Sequence, residues 1–265
     1  MRRRSGNSAM AWPRYAVLHD GLLLHSQPKA DLKTGRVCGM EALARWQHPE
    51  RGFIPPDQFI PLAEQTGLIV PLTRWVLEAV VRQCRHWQTH DQEHTMSVAV
   101  NLSTRNLHDP SLPETIAHLL QTYTVDPRCL RVEVTESTLM ADTGRAEEVL
   151  TRLAHLGVGI SVDDYETGYS SLAYLKRLPV EEIKIDRSFV REMRQHEANA
   201  VIVASTISLA HNLGLHVVAE GVEDGATWDA LAAMGCDVVQ GYYLSSPLPA
   251  DAVDPWLRDA ARIAA

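Results

Sequence analysis

The sequence predicts an α/β fold, a (β/α)8 TIM-like barrel with one antiparallel strand among the first two. Short β-rich runs alternate with helix-length segments from about residue 22 to the end, a pattern typical of sheets built from β/α units. The 265 residues also suit one barrel of this class, which takes about 250 residues. The predicted strands are Leu22–Gln27, Val37–Arg45, Ser97–Ser103, Arg131–Glu136, Gly159–Asp164, Glu182–Asp186, His216–Gly221 and Val238–Tyr242.

The connection between the first two strands differs from the others in length. Only the stretch from Pro28 to Arg36 separates them, whereas a parallel crossover needs about a dozen residues or more. Thr34 and Gly35 supply residues that favour a turn. We therefore expect a hairpin here, so that one of its two strands runs antiparallel to the rest.

Helical periodicity appears between the predicted strands. An apolar stripe predicts a helix over Arg74–Trp87, and similar stripes predict helices from Ala146 to Leu156 and from Val201 to His211. Pro55-Pro56 and the segment Asp109–Pro113 are interpreted as loops.

Composition is that of an ordinary globular protein. Hydrophobic residues make up 45% and charged residues 22%, which excludes collagen-like, coiled-coil and disordered chains. The 25 Lys and Arg residues against 33 Asp and Glu residues give a formal charge of −8. This acidic balance argues against nonspecific binding of duplex nucleic acid. Residues 1–20 are interpreted as a flexible lead-in and residues 21–265 as a single barrel domain.

Cysteine spacing and hydropathy favour a cytoplasmic location. Cys38, Cys84, Cys129 and Cys236 include no CxxC pair, so we interpret them as buried thiols in a reducing compartment. No apolar stretch approaches the roughly 18 residues of a membrane span. The basic start at Met1–Arg4 is not followed by the apolar segment of a signal peptide.

Polar residues stand at or near the ends of most predicted strands. In this class of barrel the carboxyl-terminal strand ends converge on the active site, so these residues should meet. A single strand-end carboxylate is more often a solvated loop residue or a helix N-cap, but recurrence on several strands favours a site. The residues are Glu41, Asn101, Glu133, Glu136, Asp163, Asp164, Lys184, Asp186, Glu220 and Gln240.

The side chains of this set mainly offer oxygen ligands. Carboxylates and amides suit Mg²⁺ or Mn²⁺ better than zinc or copper. Asp163 and Asp164 could serve two ions, and ions about 3.5–4 Å apart activate water in phosphoester hydrolysis. Glu133 and Glu136 are three residues apart and cannot both point inward from a regular strand, so we expect different roles for them. The 12 histidines form no HExxH motif, and GxSxG, Walker A and GxGxxG motifs are absent from the sequence.

These residues resemble the motifs of the EAL domain family, the cyclic di-GMP phosphodiesterases. The motifs come in the family's order over roughly residues 22–250, and the ordered set is far more specific than the three letters alone. They are Glu41-Ala42-Leu43, Val100-Asn101-Leu102-Ser103, Glu133-Val134-Thr135-Glu136, Asp163-Asp164, Lys184-Ile185-Asp186, Glu220-Gly221-Val222-Glu223 and Gln240-Gly241.

The resemblance implies a metal-dependent reaction. One phosphodiester of cyclic di-GMP would be hydrolysed to give linear pGpG, with two Mg²⁺ or Mn²⁺ ions as cofactors. The implied ligands of the first ion are Glu41, Asn101, Glu133 and Asp163, and those of the second are Asp163 and Asp164.

The resemblance also implies roles for the remaining residues. Lys184 would orient or polarise the attacking water. Glu220 would be the general base or would hold the second ion's water, and both alternatives stay open. The implied substrate contacts are Gln27, Leu43, Arg45, Glu223 and Gln240, and the implied supporting residues are Glu136, Ser170 and Asp186.

Two positions depart from the family pattern. Glu166 stands where the family usually has Gly, which tolerates a positive φ that Glu does not. Ser26 stands where the family commonly has Tyr before Gln-Pro. Both departures favour the alternative reading, a catalytically silent cyclic di-GMP receptor of the same fold. A third reading is a barrel that hydrolyses another phosphoester.

The resemblance further implies a homodimer, and two-fold dimers are also the commonest oligomers. About twenty residues precede the first strand, which is too few for a folded sensor or cyclase domain. Control is therefore expected from a partner protein, from self-association or from a regulatory domain outside this sequence.

Overall fold

The structure, a computed structural model, describes residues 21–90, 96–165 and 172–263. Eight strands close into a barrel, and two short strands extend the sheet beside it. The barrel strands are β1 (Leu22–Asp31), β2 (Val37–His48), β4 (Ser97–Leu102), β5 (Leu130–Thr135), β6 (Gly159–Tyr165), β7 (Glu182–Ile185), β8 (His216–Glu220) and β9 (Val238–Gln240), and the added strands are β3 (Gly52–Ile54) and β10 (Leu248–Pro249). Around the barrel the order is β1, β2, β4, β5, β6, β7, β8, β9 and back to β1.

Strand β1 runs against the rest of the described barrel. It pairs antiparallel with β2 and β9, whereas the other neighbouring barrel strands pair parallel. Gly35 occupies the turn with a φ of 68°, and its N–H donates to the Asp31 carbonyl oxygen at 2.8 Å. The Asp31 carboxylate accepts from the Thr34 N–H at 2.7 Å. The antiparallel hairpin predicted from the short connection is confirmed.

Helices cover the outside of the barrel. The predicted helix over Arg74–Trp87 is part of a longer one, α2 (Ile69–His90). Pro56 and Pro113, interpreted above as loop residues, instead lie in the first turns of helices. Proline suits a first turn because the N–H that it lacks would have no partner there. The helices are α1 (Pro56–Thr66), α2 (Ile69–His90), α3 (Thr104–Leu107), α4 (Leu112–Tyr123), α5 (Glu136–Ala141), α6 (Thr143–His155), α7 (Leu172–Leu175), α8 (Arg187–Glu192), α9 (Glu197–Asn212), α10 (Gly225–Ala233) and α11 (Ala250–Ile263).

The apolar core lies between the helices and the barrel. On α6, Ala146, Val149, Leu150 and Leu153 recur at helical spacing and are at most 1% exposed. They belong to one continuous cluster with strand residues such as Val132. The stripe predicted from the sequence is confirmed, and this layer leaves the inside of the barrel available for polar side chains.

A smaller apolar cluster supports the loop after β2. Trp46 is completely buried and meets Phe59 of α1 edge to face, with ring centroids 5.9 Å apart. Ile54 of β3 packs in the same cluster. Because β3 has only three residues, it gives no alternating pattern that sequence reasoning could detect.

The cysteines only partly match their prediction. Cys84, Cys129 and Cys236 are buried free thiols, as expected. Cys38 is exposed, because it lies at the start of β2 beside the exposed hairpin turn. Within the described ranges, no helix is both long and apolar enough to cross a membrane.

Replacing Leu150 by Ala should destabilise the fold by about 2–5 kcal/mol, because it removes buried methyl groups and leaves a cavity. Leu23→Ala is the matched control, since Leu23 is 48% exposed, and it should cost far less. Urea unfolding of both variants and the wild type measures the difference. Equal losses would contradict the placement of α6 against the core.

Candidate active site

The strand alternation directs charged side chains into the barrel. Glu41 of β2, Glu133 of β5 and Lys184 of β7 are 6%, 0% and 1% exposed. A charge that is removed from water persists only where other groups pair with it. The three side chains therefore depend on one another and on the residues at the neighbouring strand ends.

Strand β6 ends with two consecutive carboxylates. Its pairing with β7 is irregular between Val162 and Tyr165, and Asp164 adopts a left-handed backbone with a φ of 53°. The Asp163 carboxylate accepts from the Asp164 N–H at 2.9 Å. Asp163 and Asp164 both line the same cavity.

The Lys184 ammonium lies at the centre of the charged cluster. Burial disfavours its charged form, but the surrounding carboxylates raise the pKa of Lys184 well above its usual value. The ammonium is therefore held charged and joins four strand ends. Its Nζ lies 2.5 Å from Glu220 Oε1, 2.9 Å from Glu133 Oε2, 3.1 Å from Asp163 Oδ2 and 3.8 Å from Glu41 Oε2.

Glu41 is held by two amides. Asn101 Nδ2 donates to Glu41 Oε1 at 2.7 Å, and Gln240 Nε2 donates to Glu41 Oε2 at 2.6 Å. The same Gln240 nitrogen lies 3.0 Å from Gln27 Oε1, and Gln27 Nε2 donates to the Ser245 carbonyl at 3.2 Å. Gln240 Oε1 is buried without a hydrogen-bond partner among the described residues. This oxygen therefore remains able to accept a hydrogen bond or to bind a cation.

Glu133 has a second cation that sequence reasoning missed. Lys29 Nζ donates to Glu133 Oε1 at 2.6 Å, while Lys184 contacts Oε2. Burial opposes ionisation of Glu133, but the ammonium groups of Lys184 and Lys29 lower its pKa to about 2. The available signal was weak: Lys29 lies two residues from Gln27 on β1 and so shares its inward face.

Three acids of the cluster hold protons more tightly than usual. Burial raises the pKa of Glu41 against the opposing effect of Lys184. Burial, together with the carboxylates of Asp163 and Glu41, raises the pKa of Glu220 to about 8 against the opposing effect of Lys184. Burial and the adjacent Asp163 raise the pKa of Asp164 to about 6. A cation that bound these carboxylates would therefore compete with protons near neutral pH.

A cavity of about 660 Å³ adjoins the cluster. Leu43 and Arg45 of β2 line one side, and Asn101 and the β6 carboxylates line another. Arg45 is half-buried, and its Nη1 donates to the Ala44 carbonyl at 3.0 Å. Among the described lining residues, Arg45 therefore supplies a guanidinium to the same cavity as the carboxylates of Asp163 and Asp164.

The remaining predicted residues lie around this centre. Glu136 is buried at the start of α5, and Ser170 and Glu166 lie outside the described residues. Asp186 caps α8 through the Ser188 N–H and interacts with Asp164.

Glu223 is about half exposed and forms an ion pair with Arg191. Ser26 is buried opposite Ala42 of β2, on the other face of β1 from Gln27.

The structure thus brings together predicted residues from separate strands, although the described residues contain no group of three or more His, Cys, Asp or Glu side chains already arranged to hold a metal ion. The Lys184 ammonium takes the central position among the carboxylates. The residues that meet are Gln27, Glu41, Asn101, Glu133, Asp163, Lys184, Glu220 and Gln240.

Sequence comparison matches the profile of the family described as "EAL domain" over residues 11–247. The chain is 43% identical over 256 residues to the bifunctional diguanylate cyclase/cyclic di-GMP phosphodiesterase MucR of Pseudomonas aeruginosa, covering 93% of this chain and 37% of MucR. It is 40% identical over 245 residues to the cyclic di-GMP phosphodiesterase PdeR of Escherichia coli, covering 92% of this chain and 37% of PdeR. The chain therefore spans less than half the length of these relatives.

Comparison with solved structures finds the same kind of relatives. The solved MucR phosphodiesterase in complex with c-di-GMP superposes with a TM-score of 0.88 at 43% identity, over 92% of this chain and 99% of that one. The FimX EAL domain from Pseudomonas aeruginosa bound to c-di-GMP superposes with a TM-score of 0.82 at 25% identity, over 91% of this chain and 97% of that one.

Gly241→Ala should destabilise the protein by about 1–3 kcal/mol and displace Gln240, because the extra carbon has no room. A Cβ at residue 241 would lie 2.0 Å from the Val222 carbonyl oxygen. Gly144→Ala is the matched control, since a Cβ there would make only an ordinary contact, 3.9 Å from Asp142 Oδ1, and its stability should not fall. Thermal unfolding of both variants measures the difference. A fully stable Gly241→Ala variant would contradict the close approach of the two backbones.

Proposed function

This chain belongs to the EAL domain family, and from that premise we propose that it is a metal-dependent phosphodiesterase that hydrolyses cyclic di-GMP to linear pGpG. The carboxylate cluster around Lys184, beside a cavity that carries Arg45, is the observation on which the proposal depends. Relatives of about 40% identity that are named cyclic di-GMP phosphodiesterases support the choice of substrate.

The donor chemistry fits Mg²⁺ or Mn²⁺. Glu41, Asn101, Glu133 and Asp163 offer only oxygen ligands to the first of two ions, and Asp163 and Asp164 offer them to the second. The buried Gln240 Oε1, unpartnered within the described part of the chain, adds a further acceptor beside Glu41. Such ions, when bound, lower the pKa of water and stabilise a leaving oxygen.

The guanidinium of Arg45, on the cavity wall, suits an anionic substrate. We assign Arg45 to one phosphate, because a guanidinium can bind phosphate with two parallel hydrogen bonds. Gln27 and Gln240 would hold the nucleotide by their amides. Leu43 offers an apolar contact on the cavity wall, and Glu223, which is about half exposed, would contact a guanine or support the site.

Lys184 and Glu220 are assigned to the chemical step. Lys184 Nζ lies 2.5 Å from Glu220 Oε1, so the two groups can share a proton at the site of water attack. The raised pKa of Glu220, about 8, makes its carboxylate a strong proton acceptor once it is ionised. Glu136, Ser170 and Asp186 are assigned to support of the site.

The alternative is a catalytically silent receptor of the same fold. It would bind cyclic di-GMP and release no product. Hydrolysis of another phosphoester is the third reading, and rapid cleavage of p-nitrophenyl phosphate would favour it. A homodimer, control by a partner or regulatory domain, and a cytoplasmic location stay predictions.

Glu41→Ala or Asp163→Ala should lower turnover of cyclic di-GMP by on the order of a thousandfold, because each loses several kcal/mol of transition-state stabilisation. Chromatography of pGpG formed with Mn²⁺ or Mg²⁺ measures it. Glu148→Ala, which removes an exposed carboxylate on α6, is the control and should keep full activity. Near-normal turnover in either site variant would defeat the metal assignment.

Affinity for Mn²⁺ should rise as pH increases from 6 to 8, by up to about tenfold per unit, because a cation bound near Glu220 favours loss of its proton. Glu220 carries that proton below its pKa of about 8, so the protonated carboxyl dominates at pH 6 and the carboxylate at pH 9. Calorimetry in buffers of different ionisation enthalpy counts the released protons. Glu220→Gln should weaken the dependence above pH 7, where Asp164, with a pKa of about 6, is already ionised; a flat wild-type profile would refute the coupling.

A further inference from the structure

Lys29 is a buried cation that the roles proposed above do not use. It lies on β1, where its backbone pairs with Gly39 of β2 and with Gln240 of β9. Strands on both sides therefore fix the point from which the side chain enters the barrel. The side chain is only 6% exposed, so the ammonium must find its partners inside the protein.

The partner that Lys29 binds is one oxygen of Glu133. Its Nζ lies 2.6 Å from Glu133 Oε1, whereas the nearest oxygen of Glu182 lies 3.9 Å away, beyond hydrogen-bond distance. Glu133 Oε2 points the other way, to Lys184 at 2.9 Å. The two oxygens of Glu133 are thus divided between the inner barrel and the candidate active site.

This division limits how Glu133 can bind a cation. Lys29 holds Oε1 on the side away from Lys184, so a cation that took the place of the Lys184 ammonium would meet Oε2. Mg²⁺ requires a near-ideal octahedral shell and uses single oxygens, whereas Ca²⁺ accepts six to eight ligands and readily takes both oxygens of a carboxylate. One-oxygen binding by Glu133 therefore favours the smaller ion.

We propose that Lys29 is a positioning residue that restricts Glu133 to one ligand oxygen and so selects Mg²⁺ over Ca²⁺. The inference rests on the proposed metal site. It differs from two simpler roles for Lys29. A purely structural role would weaken the binding of both ions when Lys29 is removed, and a purely electrostatic role would strengthen both, because a nearby positive charge is lost. Only the positioning role changes their ratio.

The test is calorimetric binding of Mg²⁺ and of Ca²⁺ to the wild type, Lys29→Met and Lys33→Met, without nucleotide. Lys33→Met is the matched control, because Lys33 is exposed in the β1–β2 turn. We expect Lys29→Met to shift the affinity ratio toward Ca²⁺ by about tenfold or more, the size typical of residues that orient metal ligands. Lys33→Met should leave the ratio unchanged. An unchanged ratio in folded Lys29→Met would overturn the proposal.

A second measurement covers the case in which Lys29→Met does not fold. In crystals of Mg²⁺-loaded wild type, Glu133 should bind the ion through Oε2 alone, with Oε1 still hydrogen-bonded to Lys29. Binding through both oxygens would overturn the proposal, as would a wild type that binds neither ion. Hydrolysis of cyclic di-GMP is measured on the same preparations. A wild type that hydrolyses no cyclic di-GMP, with a shifted ratio in Lys29→Met, defeats only the phosphodiesterase. A wild type that hydrolyses it, with an unchanged ratio in Lys29→Met, defeats only the role of Lys29.

Discussion

The buried Lys184 ammonium is the interaction on which the rest of the site depends. Carboxylates from four different strands lie within 3.8 Å of its Nζ. Without a central cation these groups would repel one another in a region with little water, and removing one partner of such a buried set is strongly destabilising. The same ammonium therefore holds strand ends together and lies where the proposed chemistry occurs, so stability and function cannot be varied independently here.

The barrel can hold these charges because its apolar core lies elsewhere. Barrels of this class usually fill their interior with layers of branched apolar side chains. Here Lys29, Glu133 and Lys184 form a connected row inside the barrel, while residues such as Leu150 and Val132 pack between helices and strands. Hydrophobic burial outside the barrel offsets the desolvation of the charged row inside it.

The sequence was most informative where one strong constraint acts. The short stretch before Arg36 excluded a parallel crossover, and the alternation of Glu41, Leu43 and Arg45 required one inward face. The sequence did not predict features that depend on residues far apart in the chain. Lys29 reads as a solvated charge until Glu133, 104 residues away, is placed beside it. The left-handed backbone of Asp164, at the irregular end of the β6–β7 pairing, was likewise not predicted from the sequence.

Charge balance links substrate binding to the proposed ions. Cyclic di-GMP carries two negative phosphodiesters, which the several carboxylates of the candidate site would repel and which Arg45 at the cavity wall would attract. A silent receptor that kept these carboxylates would face the same repulsion, so it too would need cations to hold the nucleotide. The presence of the proposed ligand residues is therefore common to an enzyme and a receptor. The distinction lies in whether Glu220 and Lys184 can exchange a proton while the ions are bound.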